Sequence, residues 1–432
     1  MQERPKILFV TSHWPDPVVY GGAHLRVRNI SRLLGSFGNV SFVIVRGHPV
    51  DEETVRLNRA RFDIRMEIPV LPVVSKGPFG RLLRRLRCEF DPRYLPANGN
   101  SISERDRTAL LRLVRGHDLV WIQGIATANA CQIEKWPCSV LDLEDVLSCW
   151  YRSRAQGGEG PIRRLLDLRH SYNWRRRERL FTERFDILTV CSESDRQYLG
   201  GHGGVHVIPN GFSQVRSSRR PASELSQFSR IGFIGTFGWE PSGQGVDWFV
   251  RNVWPIIKRE LPQAELRLVG RGSEVCCARS AQGATGLGWL DDPSEEIATW
   301  SVMIVPIRFG GGTRLKMAEG FARKCPIVAT TIGAFGYNVR DGEEFLLADD
   351  AHDFASACVR LVREPDLGRT LAERAHQRFL REWSWDVQEG KVRAVIRECL
   401  ARSDRPQAGK AMAAEISQKS DTQGSIQMAE RR

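Results

Sequence analysis

Between Pro306 and Thr330 the chain reads PIRFGGGTRLKMAEGFARKCPIVAT, and the chemistry this stretch offers is anion binding. Three consecutive glycines, Gly310, Gly311 and Gly312, let backbone N–H groups approach a ligand closely. The helix predicted just after them carries a partial positive charge at its start, and such a corner holds phosphate. Thr313 is placed as its N-cap, with a side chain that can also face the ligand. Lys316 falls in the first turn, where a cation is unfavourable for the helix unless an anion lies opposite. Glu319 shares its face and is suited to accept hydrogen bonds from sugar hydroxyls one turn below the phosphate. The plainer reading is a chain turn with Lys316 and Glu319 as a surface pair. No GK[ST] follows the glycines, and neither GTFGWEPSGQG nor GRGSE completes GxGxxG with a suitably spaced acid, so ATPase and dehydrogenase chemistry lose ground.

A strand must deliver this loop, and SVMIVPI before it and PIVATT behind it are apolar runs suited to buried parallel strands. The same strand, glycine loop, helix, strand order occurs twice more. KILFVT leads through SHWPDPVVYGGA and a helix marked by Ile30, Leu33, Leu34 and Phe37 to VSFVIV. RIGFIG leads through TFGWEPSGQG and a helix with Val246, Phe249, Val250 and Val253 to AELRLVG. Two such starts predict an α/β protein with two doubly wound parallel-sheet domains, in which ligands gather at the carboxyl ends of the strands. Gly21 and Gly22 in the first loop, and Gly235 and Thr236 in the second, lie at such ends. The expected boundaries are an N-terminal domain over 1–212, a linker over 213–229, a C-terminal domain over 230–382, a helix over 383–403 that returns toward the first domain, and a disordered tail over 404–432.

The chain has 432 residues, 41% of them hydrophobic, a formal net charge of +12 and a pI near 9.5, so an anionic partner is expected: nucleotide phosphate, nucleic acid or an acidic membrane. Its ten cysteines form no CxxC pair and no cluster at metal-ligand spacing, which favours reduced thiols in the cytoplasm. No apolar run reaches the length of a membrane span and the N-terminus lacks a signal-peptide pattern; the protein is read as soluble, or peripheral on the inner face of the membrane. FGRLLRRLRCEF and PIRRLLDLRHSYNWRRRERLF interleave arginines with apolar residues, and either lie on an anionic membrane or are solvated helix faces. A nucleic-acid-binding protein would use the same arginines, yet no nucleic-acid module is recognisable and the glycine loops go unexplained.

The second half resembles a known family. FIGTFGWEPSGQGVDWFVRNVWPIIKRELPQAELRLVGRG, GLGWLDD, PIRFGGGTRLKMAEGFARKCPIVATTIGAFG, GEEFLLADDAHDFASACVRLV and HQRFLREWSWD are similar, in order and spacing, to the C-terminal domain of family 4, or group 1, glycosyltransferases of the GT-B class. GGAHLRVRNISRLL, LDLEDVLSCWYRSR and FDILTVCSESD extend the likeness loosely into the first half. The resemblance implies two Rossmann-like domains facing across a cleft. It implies retaining transfer from a nucleotide-sugar donor to a glycan, glycolipid or lipid-linked acceptor, without cofactor or essential metal. An epimerase of nucleotide sugars on the same fold is the nearest alternative. Of the two glutamates that family members carry here, Glu319 matches the one that holds the donor ribose, and the other falls on Gly311, so no catalytic glutamate is assigned. Many members place an Arg and a Lys after the first strand of this domain; they are not evident in GTFGWEPSGQG, and their role of stabilising the leaving diphosphate passes to Arg314 and Lys316, with Gly22 closing from the other side. Gly21, Gly235, Thr236, Gly311, Gly312 and Thr313 join Glu319 as donor contacts. Trp289 matches the segment flanking the base, against a role as a core aromatic. Gln123 and Glu144 stand where many members have histidines, while Asp145 remains, to bind acceptor or to order the loop. His13 and His24 lie near the cleft by sequence and are read as structural.

Overall fold

The computed structural model describes residues 3–16, 22–47, 50–72, 77–95, 100–157, 160–201, 203–215, 229–275 and 281–403. Gly21, most of the 213–229 linker and the 404–432 tail lie outside the described residues.

Seven parallel strands form the first sheet: β1 (Lys6–Thr11), β2 (Asn39–Arg46), β3 (Asp63–Pro69), β6 (Leu119–Gln123), β7 (Ser139–Asp142), β8 (Ile187–Val190) and β9 (Val205–Val207). The short β4 (Leu71–Pro72) and β5 (Asn100–Ser101) pair separately as an antiparallel ribbon. The sheet order is β3-β2-β1-β6-β7-β8-β9. The second sheet runs β12 (Ala284–Gly286), β11 (Glu265–Val269), β10 (Arg230–Ile234), β13 (Val302–Val305), β14 (Ile327–Ala329) and β15 (Leu346–Leu347), again all parallel. Both sheets start in the middle and grow outward in two directions. The chain therefore parts between β1 and β6 in one and between β10 and β13 in the other, and each parting opens a crevice at the strands' carboxyl ends. This is a GT-B arrangement of two Rossmann-like domains.

The apolar runs become central strands because helices cover both faces of each sheet. Alternation along β1 sends Leu8 and Val10 to one core and Ile7 and Phe9 to the other. Helix Gly22–Phe37 covers the second face with Val27, Ile30, Leu33 and Leu34. Beside it lies helix Trp385–Ser403, whose Val392, Val395, Ile396 and Cys399 pack into the same N-terminal core. The chain thus crosses between the domains twice, and the crossings touch: the Phe212 N–H donates to Trp383 O at 3.0 Å and the Trp385 N–H to Phe212 O at 3.3 Å. A single core serves the second domain, from Phe233 and Trp300 to Phe379. No described helix is long and apolar enough to cross a membrane.

Candidate functional site

β13 is a fully buried VMIV strand, and it hands the chain to Pro306–Arg314 at the crevice beside β10. Gly310 has φ +134° and Gly312 φ +62°, backbone that an L side chain rarely adopts. Close approach adds a second reason: a Cβ on Gly312 would meet Asp145 Oδ1 at 2.4 Å and Glu144 O at 2.5 Å, both from the opposite domain. A Cβ on Gly311 would sit 3.3 Å from Asp145 Oδ1 and from Trp150 Cβ. The Gly310 N–H donates to Ser153 Oγ at 3.1 Å. The glycine loop is therefore where the two domains meet, pressed against the segment that follows β7.

Arg314, 4% exposed, ends this loop. Its Nη1 donates to Gly311 O, while Nε and Nη2 are buried without a hydrogen-bond partner among the described residues. Burial pushes the guanidinium below its usual range, with Asp145 opposing the shift. Lys316 enters the same crevice two residues on; its Nζ donates to Ser242 Oγ at 3.1 Å and lies 4.5 Å from the Phe233 ring centre. Burial, with Arg314 alongside, lowers the ammonium to about 7. Among the described residues neither cation has a carboxylate at salt-bridge distance. Two desolvated cations without a counter-anion are costly in a folded protein, and an anionic ligand is what removes the cost. Glu319, one turn deeper, is anchored by Arg323 Nε at 3.1 Å. Burial raises its carboxyl while Arg323 and Lys316 pull it down. Lys316 and Glu319 do not pair with each other, so the surface-pair reading fails.

The opposite wall is built at the carboxyl ends of β1, β6 and β7. Asp142 is fully buried and held by Arg26, with Nη2 to Oδ1 at 2.6 Å and Nε to Oδ2 at 3.0 Å, and it also accepts from Thr189 Oγ1 at 2.5 Å. Above this pair Gln123 Nε2 donates to Glu144 Oε1 at 2.6 Å, and Gln123 Oε1 lies 3.3 Å from both Thr11 Oγ1 and His13 Nδ1. Burial raises the Glu144 carboxyl to about 7, with Asp142 and Asp145 adding to the effect and Arg26 opposing it. His13 and His24 meet edge to face with centroids 4.7 Å apart. Burial, then His13 and Arg271, lower His24 to about 4, so its ring is neutral near pH 7. Asp145 faces the glycine loop and Arg314, and burial raises its carboxyl against the pull of that arginine.

The structure brings Gly235, Gly311, Gly312, Arg314 and Lys316 to one place; a Cβ on Gly235 would lie 3.2 Å from Lys316 Nζ. Thr236 is exposed on the same loop. The placement of Thr313 as N-cap is corrected: helix Leu315–Ala322 has Arg314 at its N-cap, with extended φ/ψ of −85° and 106° and no side-chain cap. Thr313 instead turns inward, its Cγ2 2.5 Å from where a Cβ on Gly336 would be. Trp289 is no core aromatic: it is 43% exposed after β12, held by Asp291 Oδ1 at 3.0 Å from its Nε1. Gly22 is exposed, with nothing within 4 Å of a Cβ there, and is not gathered against the loop. Sequence reasoning missed Tyr337, whose hydroxyl donates to Arg314 O at 3.0 Å, and Ser242, which holds Lys316; Ser242 lies within GTFGWEPSGQG and Tyr337 directly follows IGAFG, but neither spacing tells which side chain turns to the loop.

Residues 229–364 match the family described as glycosyl transferases group 1. A phosphatidyl-myo-inositol mannosyltransferase from Mycobacterium leprae is 28% identical over 208 residues, which are 45% of this chain and 54% of that protein. The chain spans about half the length of the curated relatives it matches, or less. Among solved structures, sucrose-phosphate synthase from Thermosynechococcus elongatus superposes with a TM-score of 0.62 at 16% identity, over 92% of this chain and 100% of that one. HepE from Anabaena, in complex with UDP-glucose, superposes at 0.58 and 15% identity, over 91% and 99%. These last likenesses are of fold.

Proposed function

We propose, from a C-terminal domain that belongs to the group 1 glycosyltransferases and a chain that folds as GT-B, that this protein moves a sugar from a nucleotide-sugar donor to an acceptor bound against its N-terminal domain. The observation that carries this is the glycine loop with Arg314 and Lys316, two desolvated cations with donors to spare beside backbone N–H groups. As the bond from the sugar C1 to the phosphate oxygen breaks, the electron pair stays on the diphosphate. Fixed donors and cations stabilise that charge without reorganising, each worth about 3–4 kcal/mol of barrier. Arg314, Lys316 and the helix start at Leu315 take this role here, so the reaction needs no essential metal and no cofactor. Glu319, anchored by Arg323, accepts the ribose hydroxyls.

Gly311 puts no carboxylate beside the donor sugar, which suits a retaining course: the acceptor hydroxyl attacks C1 from the leaving group's side and its proton passes to a phosphate oxygen. The wall of Glu144, Gln123 and Asp145 receives the acceptor. The mannosyltransferase relative is named for a phospholipid acceptor, which favours a glycolipid or lipid-linked acceptor, and hence glycan assembly at a membrane, for this chain also.

Thermal shifts with UDP, GDP and ADP test the donor site. One diphosphate, UDP first in view of the HepE complex, is expected to raise the melting temperature, and Glu319→Ala to lose most of the rise. Equal shifts in both proteins remove Glu319 from the ribose. NMR of the product's anomeric proton decides retention; an inverted product overturns that part.

A further inference from the structure

Helix Pro161–Glu178 is inside out. The residues it buries are Asp167, Ser171, Asn173, Arg177 and Glu178, all polar, while Ile162, Leu165, Leu166, Leu168 and Tyr172 are exposed, Ile162 at 76%. A helix at the surface of a soluble domain shows the reverse. Helix Gly77–Phe90 buries no residue at all, and Phe79, Leu82, Leu83, Leu86 and Phe90 lie exposed along one face, at i, i+3, i+4, i+7 and i+11. These two helices carry ten of the sixteen exposed large apolar side chains among the described residues. They are also tied together. Arg169 forks onto Glu89 with both contacts at 2.5 Å, Arg176 Nη2 donates to Phe90 O at 3.0 Å, and Arg177 donates to Cys88 O.

The geometry points to one composite face that docks on an anionic lipid bilayer, apolar side chains in the acyl boundary and arginines at the headgroups. Charge selects the occupant. The two helices hold ten arginines against three acids, Glu89, Asp167 and Glu178, a surplus of seven positive charges in a chain whose net is +12. Arg81, Arg85 and Arg164 have no ion-pair partner among the described residues. So large a surplus repels a second copy of the chain, whereas phosphate headgroups attract it. The face is coupled to the site through helix Leu147–Gly157, which forms a hairpin with Pro161–Glu178: Trp150 and Ser153 on it touch Gly311 and Gly310. In the first turn of helix Pro161–Glu178, Arg163 pairs with Glu240, at the start of the helix after the Gly235 loop. A bilayer on this face would bring a lipid-borne acceptor close to the cleft. The inference rests on the transferase reading only for that cargo; lipid binding is measured without turnover, so either can fail alone.

The test is flotation of the full chain with vesicles of phosphatidylcholine, with and without phosphatidylglycerol. Binding to the anionic vesicles, lost in high salt, is expected. Arg85→Ala should lower the partition coefficient about fivefold, the worth of one cation near such a surface. Leu83→Glu with Leu165→Glu should abolish binding, with the circular dichroism and the diphosphate thermal shift unchanged. Both sites are exposed, so the fold is spared. Failure to bind anionic vesicles overturns the proposal, as does equal binding of neutral and anionic vesicles. A dimer that the double variant dissociates, or polynucleotide binding in place of vesicle binding, overturns it also.

Discussion

The two walls of the cleft have the same strand order and opposite electrostatics. On the C-terminal side Arg314 and Lys316 are buried, and among the described residues neither has a carboxylate at salt-bridge distance. On the N-terminal side Arg26 is buried as deeply, yet it meets Asp142 with two hydrogen bonds and gives Nη1 to Ile208 O at 3.0 Å and Asn210 Oδ1 at 2.9 Å. The buried arginine of one wall is satisfied by the protein itself; the two buried cations of the other have no ion pair among the described residues. Two crevices of one topology thus differ in whether their buried cations are satisfied from within, and under the proposed function that difference separates donor site from acceptor support.

Substitutions on the two walls should differ in kind. The largest effect is expected from Arg26→Met, which strands the Asp142 carboxylate and should cost about 3–5 kcal/mol of stability in denaturant unfolding. A loss below 1 kcal/mol would show that this wall is not internally paired. Arg314→Ala should spare stability, keeping or raising the melting temperature, while kcat for transfer falls about 10²–10³-fold. A destabilised Arg314→Ala protein with normal turnover would reverse the comparison.

Next in size is a pH dependence. Lys316 holds its proton only up to about 7 in the free protein, and a bound diphosphate raises that value, so the complex carries the extra proton above pH 7. Nucleotide affinity should weaken by up to tenfold per unit above about pH 7, by calorimetry. Lys316→Arg should remove the slope; an unchanged slope would move the titration elsewhere. The smallest effect concerns Glu144, which keeps its proton to about 7 in the fold against 4.5 ordinarily. Its contribution to stability is complete below about pH 4.5 and lost as pH rises through about 7. The melting temperature of Glu144→Gln, relative to the parent, should therefore rise across that window; parallel curves would show that Glu144 titrates normally.

Much of the fold was legible because its signals are local. The run Val302–Val305 and the spacing of Ile30, Leu33, Leu34 and Phe37 depend on no distant contact, and the strands and helix they predict are there. The glycine loop was legible for the same reason, since φ above zero at Gly310 and Gly312 demands glycine wherever the loop goes. Helix ends were less so: Thr313 has a capping residue's chemistry, but the extended backbone falls at Arg314. Asp145 was read toward acceptor or loop, and it is the packing of the other domain that sets it against Gly311 and Gly312. The two basic segments were ambiguous in sequence because a helical pattern does not say which face the protein covers.

By itself, then, the sequence determined two parallel-sheet domains and a glycine loop at a strand's carboxyl end with the residues that follow it, all consequences of periodicity and backbone preference over a few neighbouring positions. Only the tertiary structure decided that Arg314 and Lys316 form no ion pair among the described residues while Arg26 does, that Glu144 sits where it keeps a proton, and that helix Pro161–Glu178 turns its leucines outward. Charge balance and burial are set by groups far apart in the chain, and folding alone brings them within reach of one another.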